Sequence, residues 1–568
     1  MRKRKNNPRI EYIPNLRSFA ERSALKFGDA VALQIKRREK WVRYSFQDLW
    51  ERAQRLSQQL RWLGIKKGDT IALISENCPE WVIAYLSIVC AGATAVPLDC
   101  KLPKETILNL LEFSGAKAVF SSKKLLKIYD EKKLRVFNLE KLATPLEELY
   151  LATHLSGKEE LPEVEILRKD IASIIFTSGT TGAPKGVMLT HGNFICNALA
   201  GLQVIPPISP TDSQLSVLPL HHVFEFVAGL LIPIYAGTPI TYNESLQSNV
   251  VLQNMVETGT TVMAAVPLLF ELFYQRMVEK IQELPRGTQI LLRTFIKVNR
   301  LLKFSLRWDL SKIFFAKIHQ GFGGKIRFFV SGGAKLDVKV ARFFQDVGIP
   351  ILEGYGITEA SPIVSVNSIK IKIGSVGKPL PGVLVKIDRP DRQGAGEIKV
   401  KGPTVMAGYF KNEQATREVI KGSWFHTGDV GYLDEEGYLH ITGRKKDVIV
   451  TAAGKNVHPD DVEAYYAKIT GISELCVFGC TTEEGEEVFA AIIPDNKIFA
   501  GKKTEEVRAE IEKRLQERSK TIPSYERIRS FVIWKGKFPK TSLKKKKRFK
   551  IKEDCAKYFS NNKGEVKA

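Results

Sequence analysis

Short apolar runs rich in β-branched residues alternate with stretches of helical spacing through the first part of the chain. Thr70 to Ser75, Thr94 to Leu98 and Ala118 to Ser121 read as buried strands, with helices predicted at Pro79 to Cys90 and Lys104 to Ser114 between them. Residues 16 to 63 read as helices around a strand pair, Val31 to Ile35 and Trp41 to Tyr44. This rhythm with short connections predicts a parallel sheet covered by helices on both faces. Gln214 to Leu218 reads as a further strand, and a second sheet is expected after it from Thr261 to Val266 and Lys325 to Val330. Residues 383 to 440 hold short strands with Gly-rich turns, among them Gly396 to Val400 and Gly437 to Ile441, and predict a small β-barrel. Beyond them lies a smaller α+β pattern: helices at Pro459 to Lys468 and Glu505 to Ser519, strands around Leu475 to Phe478, Val488 to Ile493 and Ser530 to Trp534. The fold class read from this is α/β, with a large N-terminal domain of two helix-covered sheets plus a small barrel, followed by a smaller α+β domain.

The 568 residues are 44% hydrophobic, enough for several cores. The formal charge of +24 points to an acidic partner or surface without choosing among nucleic acid, anionic lipid and acidic protein. Seven scattered cysteines with no Cys-x-x-Cys pair fit reduced cytosolic thiols. Cys476 and Cys480 with His458 lack a fourth ligand at usable spacing and read as small buried side chains. The basic N-terminus has no apolar signal-peptide core. The most apolar run, Phe226 to Ile240, is interrupted by Pro233 and Pro239 and falls short of the roughly 20 residues a bilayer span needs. The expected location is the cytoplasm, with the inner face of a membrane as a peripheral site.

One stretch changes the picture from fold to chemistry. The strand pattern Ile171 to Phe176 breaks into Thr177-Ser178-Gly179-Thr180-Thr181-Gly182, then Pro184-Lys185-Gly186. Glycines let backbone approach an anion, hydroxyls and exposed N–H groups donate to its oxygens, and Lys185 brings mobile positive charge. It is not a Walker A loop, since Lys185 follows Pro184 and precedes Gly186.

The whole run from Ile174 to Gly192 resembles the phosphate loop of the adenylate-forming superfamily, which includes acyl-CoA synthetases, peptide-synthetase adenylation domains and luciferases. The resemblance implies a set of site residues elsewhere. His222, in Pro219-Leu-His-His222, matches a histidine beside the acyl site, and Phe226 falls where fatty-acid members carry an aromatic gate, though a core aromatic explains it equally. Gly332, Gly333 and Ala334, with Glu353, Gly354 and Tyr355, would pack around adenine, and Thr358 would approach the reacting phosphate. Glu359, with Thr177, would hold Mg²⁺. Asp429 matches the residue that accepts from the ribose hydroxyls, Arg444 a nucleotide-contacting arginine, Lys446 the hinge position and Gly454 the thiol-facing loop. Pro539-Lys540-Thr541 and Lys545 match the element whose last lysine serves adenylation, with Lys544 where the family has glycine and a one-residue slip left open by the lysine run. The domains implied are 1–445 and a mobile 446–568.

Between residues 276 and 324 lies a stretch longer than most members need. Arg293, Lys297, Arg300, Lys303 and Arg307 recur at helical spacing beside a broad apolar surface. Two readings stand: an interfacial helix on anionic membrane, or a helix packed on the body with a solvated face. Together with Phe328 to Leu336, this insertion most resembles bacterial long-chain fatty acyl ligases. The implied reaction uses ATP and Mg²⁺ to make acyl-AMP from a long-chain fatty acid, then a thioester with holo-acyl carrier protein or CoA. The basic charge suits both acceptors, and the reading favours carrier protein. A nucleic-acid-binding protein is the rival from another class, opposed by the lack of any nucleic-acid module. A peptide-synthetase adenylation domain is opposed by the lack of an appended carrier domain.

Overall fold

The computed structural model describes residues 12–129, 134–151, 159–177, 184–245, 247–305, 310–451, 456–482, 485–541 and 545–561. Packing divides the chain into two compact units, Met1–Leu384 with Val400–Phe425, and Val385–Lys399 with His426–Ala568. The expected pivot at Lys446 concerns motion, which compactness does not address.

The first unit holds two large sheets. The seven-stranded one runs Gly408–Tyr409, Lys185–Thr190, Ile171–Thr177, Thr94–Leu98, Thr70–Ile74, Ala118–Ser121, Arg135–Asn138. Its central strands are parallel, and every residue of Thr70–Ile74 and Thr94–Leu98 is buried, which is why they read as unbroken apolar runs. The nine-stranded sheet runs Lys378–Pro379, Ile363–Val366, Ile351–Gly356, Phe328–Ser331, Val262–Ala265, Gln214–Ser216, Ile240–Tyr242, Val31–Arg37, Lys40–Ser45. Its strand Gln214–Ser216 stops earlier than periodicity predicts, because the Asn77 amide takes the Leu218 carbonyl at 2.6 Å and bends the chain out of the ladder. The strand predicted from Lys325 starts at Phe328, after Gly323 and Gly324 turn the backbone through positive φ.

Local signals set the helices. Ser45 and Asp48 form a reciprocal capping box ahead of Phe46–Trp62, and Thr190 with Asn193 forms another ahead of His191–Val204. The short strands expected to make a small barrel form one five-stranded sheet, in the order Leu384–Asp388, Gly396–Lys401, Trp424–Leu433, Ile420–Lys421, with Leu439–Arg444 also on Trp424–Leu433.

In the second unit, Ile472–Thr482, Gly485–Pro494 and Ser530–Ile533 make a three-stranded sheet with the helices Pro459–Tyr466, Thr504–Ser519 and Arg548–Asn561 around it. Val477, Ala490 and Ile492 are fully buried on one of its faces against Tyr466 and Ile511. Cys476 and Cys555 are buried on the other with Phe478 and Ile551, so these cysteines pack as apolar side chains.

The expected basic insertion forms the helices Pro267–Gln282 and Arg286–Ser305. Arg300 is bound by Nε and Nη2 to Asp346, with Nε to Oδ1 at 2.7 Å. Phe295 stacks on Phe314 with centroids 4.3 Å apart, and Asn299 donates to Ser311 Oγ at 2.8 Å. One side of this helix is therefore packed on the body. Ile290 and Leu291 are 65% and 51% exposed on the rest of it. Arg307, and the side chains of Arg293 and Lys303, lie outside the described part of the chain. Among the described residues no helix is long and apolar enough to cross a membrane.

Candidate active site

The residues expected to serve one reaction fall in both compact units, and each group is built locally. In the first unit, strands Ile171–Thr177 and Lys185–Thr190 pair antiparallel, with Thr177 opposite Lys185. Ser178, Gly179, Thr180, Thr181 and Gly182 lie outside the described residues; the hairpin that carries them does not. Gly186 is required there, since a Cβ would come within 2.9 Å of Ile174 and 3.2 Å of Phe176 and Phe410. The Lys185 ammonium lies 5.0 Å from the centroid of the Tyr409 ring. The Tyr409 hydroxyl donates to Glu359 Oε1 at 2.8 Å, and burial together with the Glu359 charge raises its pKa, so it remains a donor at neutral pH.

Glu359 sits in a short 3₁₀ turn, Thr358–Ala360, and side chains that no motif marks hold that turn in place. The Asn197 amide donates to the carbonyls of Ala360 (3.2 Å) and Ile363 (2.8 Å) and accepts from the Ile363 N–H. Asn193 donates to the carbonyls of Pro403 (2.7 Å) and Val405 (3.0 Å), while Ser361 Oγ donates to Thr404 at 2.7 Å. Met406 N–H closes the circuit on the Glu359 carbonyl at 2.9 Å. Both asparagines are on helix His191–Val204, which starts where the phosphate-loop hairpin ends. The helix after the loop thus sets where Glu359 stands. A sequence signal for it did exist: two Asn four residues apart in an otherwise apolar helix, unfavourable unless bonded.

The His222 segment and the Gly332 loop also meet. Gly332 follows Phe328–Ser331 at its carboxyl end, where open α/β sheets place ligands, and a Cβ on it would come within 3.0 Å of the Phe224 ring. Gly333 has φ +85°, the left-handed region. Burial, then the neighbouring His221, lowers the His222 pKa to about 3, so this imidazole is neutral at physiological pH. His221 and His222 rings are 4.4 Å apart, and His221 Nε2 lies 3.8 Å from Asp99. Beneath them, Asn77 holds Leu218 and accepts from Leu220 N–H at 2.8 Å, and buried Glu225 accepts from Ser216 Oγ at 2.6 Å. Burial pushes the Glu225 carboxyl up to about 8, so it is mostly protonated at pH 7. It opens a π-helical turn, Glu225–Leu231, a form frequent near functional sites.

Phe226 is placed in the core rather than at an opening. It is buried against Tyr85 (4.5 Å), Phe194 (4.9 Å) and Trp81 (6.3 Å between centroids). The Glu353 carboxylate likewise turns inward, accepting from Leu336 N–H at 3.1 Å, and burial raises its pKa to about 7. Gly354, Tyr355 and Gly356 continue the same strand to Thr358.

In the second unit, the hairpin of Trp424–Leu433 and Leu439–Arg444 places Asp429 directly opposite Arg444, with Arg444 Nε 3.0 Å from Asp429 Oδ1. Backbone bonds tie Lys545 and the residues after it to Pro539, Lys540 and Thr541. Thr541 N–H bonds the Lys545 carbonyl at 2.8 Å, Lys547 N–H bonds Pro539 at 2.8 Å, and Lys540 bridges Lys546. Lys546 is committed to Glu463 and the Leu475 carbonyl. Protein packed around the Lys545 ammonium, then the charge of Arg444, lowers its pKa, against the opposing pull of Asp429 and Asp460. Gly454 lies outside the described residues. Arg548 anchors the loop from below, through Asp447 (3.1 Å), Glu463 (2.8 Å), Asp460 and the Val477 carbonyl (2.8 Å).

A hairpin joined through Tyr409 to a carboxylate, and a carboxylate–arginine pair, are groups of the kind that bind phosphate, metal and ribose in a nucleotide-using enzyme. Residues 20–410 match the family model for AMP-binding enzymes, and residues 461–545 match the C-terminal domain of AMP-binding enzymes. The chain belongs to the AMP-binding enzyme family and within it to the adenylate-forming acid–thiol ligases. It is 30% identical over 445 residues to a long-chain-fatty-acid–CoA ligase of Mycobacterium bovis, covering 73% of this chain and 72% of that protein. It is 28% identical over 557 residues to a chloroplastic long-chain-fatty-acid–[acyl-carrier-protein] ligase of Arabidopsis thaliana, covering 84% and 75%. Among solved structures, an O-succinylbenzoate coenzyme A synthetase from Bacillus subtilis in complex with AMP superposes with a TM-score of 0.74 at 25% identity, covering 95% of this chain and 98% of that one.

Proposed function

We propose that this chain is a long-chain fatty acid–acyl carrier protein ligase of the AMP-forming type, using ATP and Mg²⁺. The observation that carries the nucleotide chemistry is the joining of Lys185 to Glu359 through Tyr409, at the mouth of the hydroxyl-rich loop. In the first half-reaction a fatty carboxylate oxygen bonds to the α-phosphorus of ATP, the bond to the pyrophosphate oxygen breaks, and acyl-AMP remains. Lys185 and the hydroxyls of Thr177 and Thr180 are assigned to the phosphates, Asp429 and Arg444 to the ribose side, and Lys545 to the charge on the transferring phosphate. Glu359 suits Mg²⁺: Tyr409 occupies one carboxylate oxygen and leaves the other to a hard cation, with the Thr177 hydroxyl as a further oxygen donor. Bound there, Mg²⁺ neutralises phosphate charge. Neutral His222 is a hydrogen-bonding partner for the acyl carboxylate. In the second half-reaction the terminal thiol of a pantetheine arm loses its proton and its sulfur bonds to the acyl carbon, expelling AMP. Residues 446–568 are read as the part that pivots at Lys446 between the half-reactions, presenting Gly454 for the second.

The net charge of +24 and the cationic stretch around Lys545 to Lys552 support an acidic carrier protein as acceptor. CoA is the second reading, favoured by the similarity to the M. bovis enzyme. With a labelled long-chain acid, ATP and Mg²⁺, kcat/KM is expected to be at least about tenfold higher with holo-carrier protein than with CoA, the preference that about 1.4 kcal/mol of extra docking energy gives. The opposite order assigns CoA; tight DNA retention with no thioester reverses the reading altogether.

The same reading includes a peripheral contact with anionic membrane. Ile290, Leu291 and Ile313, at 65%, 51% and 71% exposure, are apolar surface that packing of the Arg286–Ser305 helix does not account for, and Lys297 lies on the same helix. The combined variant Ile290→Glu, Leu291→Glu, Lys297→Glu is expected to lose most co-pelleting with phosphatidylglycerol-containing liposomes. Unchanged pelleting returns this helix to an ordinary packed element.

A further inference from the structure

Tyr409 is marked by no catalytic motif, yet it touches both charged groups assigned to the nucleotide phosphates and metal. It ends the short strand Gly408–Tyr409, which pairs with the phosphate-loop hairpin as Gly408 with Met188 and Tyr409 with Val187. Flanking bonds tie the same segment down: Ala407 N–H to Met188 at 3.0 Å, Phe410 N–H to Gly186 at 2.7 Å, and Tyr409 N–H to Thr416 Oγ1 at 2.8 Å. Three residues earlier, Met406 N–H holds the Glu359 carbonyl at 2.9 Å. Residues 406–410 therefore form a strut with one side on the loop and the other on Glu359.

Opposite charges that meet the same tyrosine have an alternative partner in each other. A direct Lys185–Glu359 ion pair would have to be broken before a phosphate and a cation could bind. Among the described residues no ion pair joins them, and each meets Tyr409 instead. The ring face of Tyr409 offers the ammonium a favourable resting place 5.0 Å from the centroid, and its hydroxyl takes one Glu359 oxygen at 2.8 Å. The hydroxyl bond also orients the carboxylate, so its second oxygen presents to a cation without a search over rotamers.

We propose that Tyr409 is a positioning residue for metal-bound ATP: it keeps Lys185 and Glu359 apart and oriented, so that the phosphate and cation sites exist before substrate arrives. The inference rests on the assignment of Glu359 to Mg²⁺ given above and deepens it. Two substitutions separate the two functions of the side chain. Tyr409→Phe keeps the ring under Lys185 and removes the bond to Glu359; Tyr409→Leu removes both.

The test measures binding directly, by calorimetry with an ATP analogue whose α,β-bridging oxygen is replaced by methylene, so no turnover occurs. Titrations are run with Mn²⁺ present and in chelator, on the full-length protein, with thermal unfolding followed in parallel. Tyr409→Phe is expected to weaken binding about tenfold or more with Mn²⁺, the loss typical of one hydrogen bond to a charged group, and much less in chelator. In turnover, the KM for ATP rises more than kcat falls. Tyr409→Leu is expected to weaken binding under both conditions. Equal losses for Tyr409→Phe with and without metal, tracking a lowered unfolding temperature, would overturn the proposal in favour of a structural role. Glu359→Gln distinguishes this failure from failure of the underlying assignment. If Glu359→Gln leaves Mn²⁺-dependent binding intact, the metal assignment itself is wrong; if it abolishes that dependence while Tyr409→Phe does nothing, only the role of Tyr409 falls.

Discussion

Replacing Lys545 with alanine is expected to slow acyl-AMP formation by about 10²–10³-fold, as removal of one preorganised charge-stabilising group does, while transfer from preformed acyl-AMP to the thiol stays nearly unchanged. Only the first half-reaction builds charge on a transferring phosphate, so only that half needs the ammonium. Fatty-acid-dependent pyrophosphate exchange reads the first half, and thioester formation from synthetic acyl-AMP reads the second. The local geometry separates Lys545 from Lys546, and Lys544 lies outside the described residues. The Lys546 ammonium is held by Glu463 and the Leu475 carbonyl, whereas among the described residues no hydrogen bond or ion pair holds the Lys545 ammonium. Lys546→Ala is therefore expected to act through stability and not through selective loss of exchange. Equal damage to both half-reactions in Lys545→Ala, or a selective loss in Lys546→Ala instead, would reject the assignment.

Arg548→Met is expected to destabilise the second unit by about 3 kcal/mol, the lower end of the cost of removing one partner from a buried charge cluster. Arg548 is the common partner of Asp447, Asp460 and Glu463 and also donates to the Val477 carbonyl, so its loss leaves several acids facing one another. The lower end is the appropriate one because the Asp460 side chain is 44% exposed and water partly compensates it. The effect carries a pH signature. Burial alone would raise the Asp460 carboxyl, but the Arg548 charge more than reverses this and holds its pKa below the ordinary value. A depressed carboxyl pKa contributes stability that is present above the ordinary carboxylate range and is lost as pH falls through the depressed value. The gap between wild type and Arg548→Met should therefore be full at pH 7 and narrow toward strongly acidic pH. Hydrogen exchange in Pro459–Tyr466 and Arg548–Asn561 localises it, and a gap that does not change with pH would remove the charge cluster as its cause.

Much of this molecule was legible along the chain because the information is local. The strands Thr70–Ile74, Thr94–Leu98 and Ala118–Ser121 stand where their apolar runs predict, since a strand buried on both faces has little choice of residue. Helix Phe46–Trp62 lies within the stretch 16 to 63 read as helical, whereas its cap at Ser45 and the helix His191–Val204 with its cap at Thr190 came with the structure, although each cap bond spans only three residues. The hydroxyl-and-glycine stretch after Ile171–Thr177 likewise carries its chemistry in consecutive residues.

The rest depended on distances in sequence that no local pattern spans. Asn193 and Asn197 bond to chain 163 to 212 residues away, and nothing near either of them announces that Asn197 will meet the Glu359 turn and Asn193 the segment Pro403 to Val405. Tyr409 acquires its place between Lys185 and Glu359 only when a two-residue strand pairs along the edge of the sheet, beside Lys185–Thr190. Phe226, equally suited by type to a gate or a core, is settled by the aromatic rings that close around it. The sequence by itself determined which segments become strands and which stretch gathers hydroxyls, glycines and a lysine after Ile171–Thr177, because those follow from backbone sterics and the order of side chains within a few residues. Only the tertiary structure decided which side chains face one another across the sheets, because burial makes a polar group find a partner wherever packing has brought one, whatever its number in the chain.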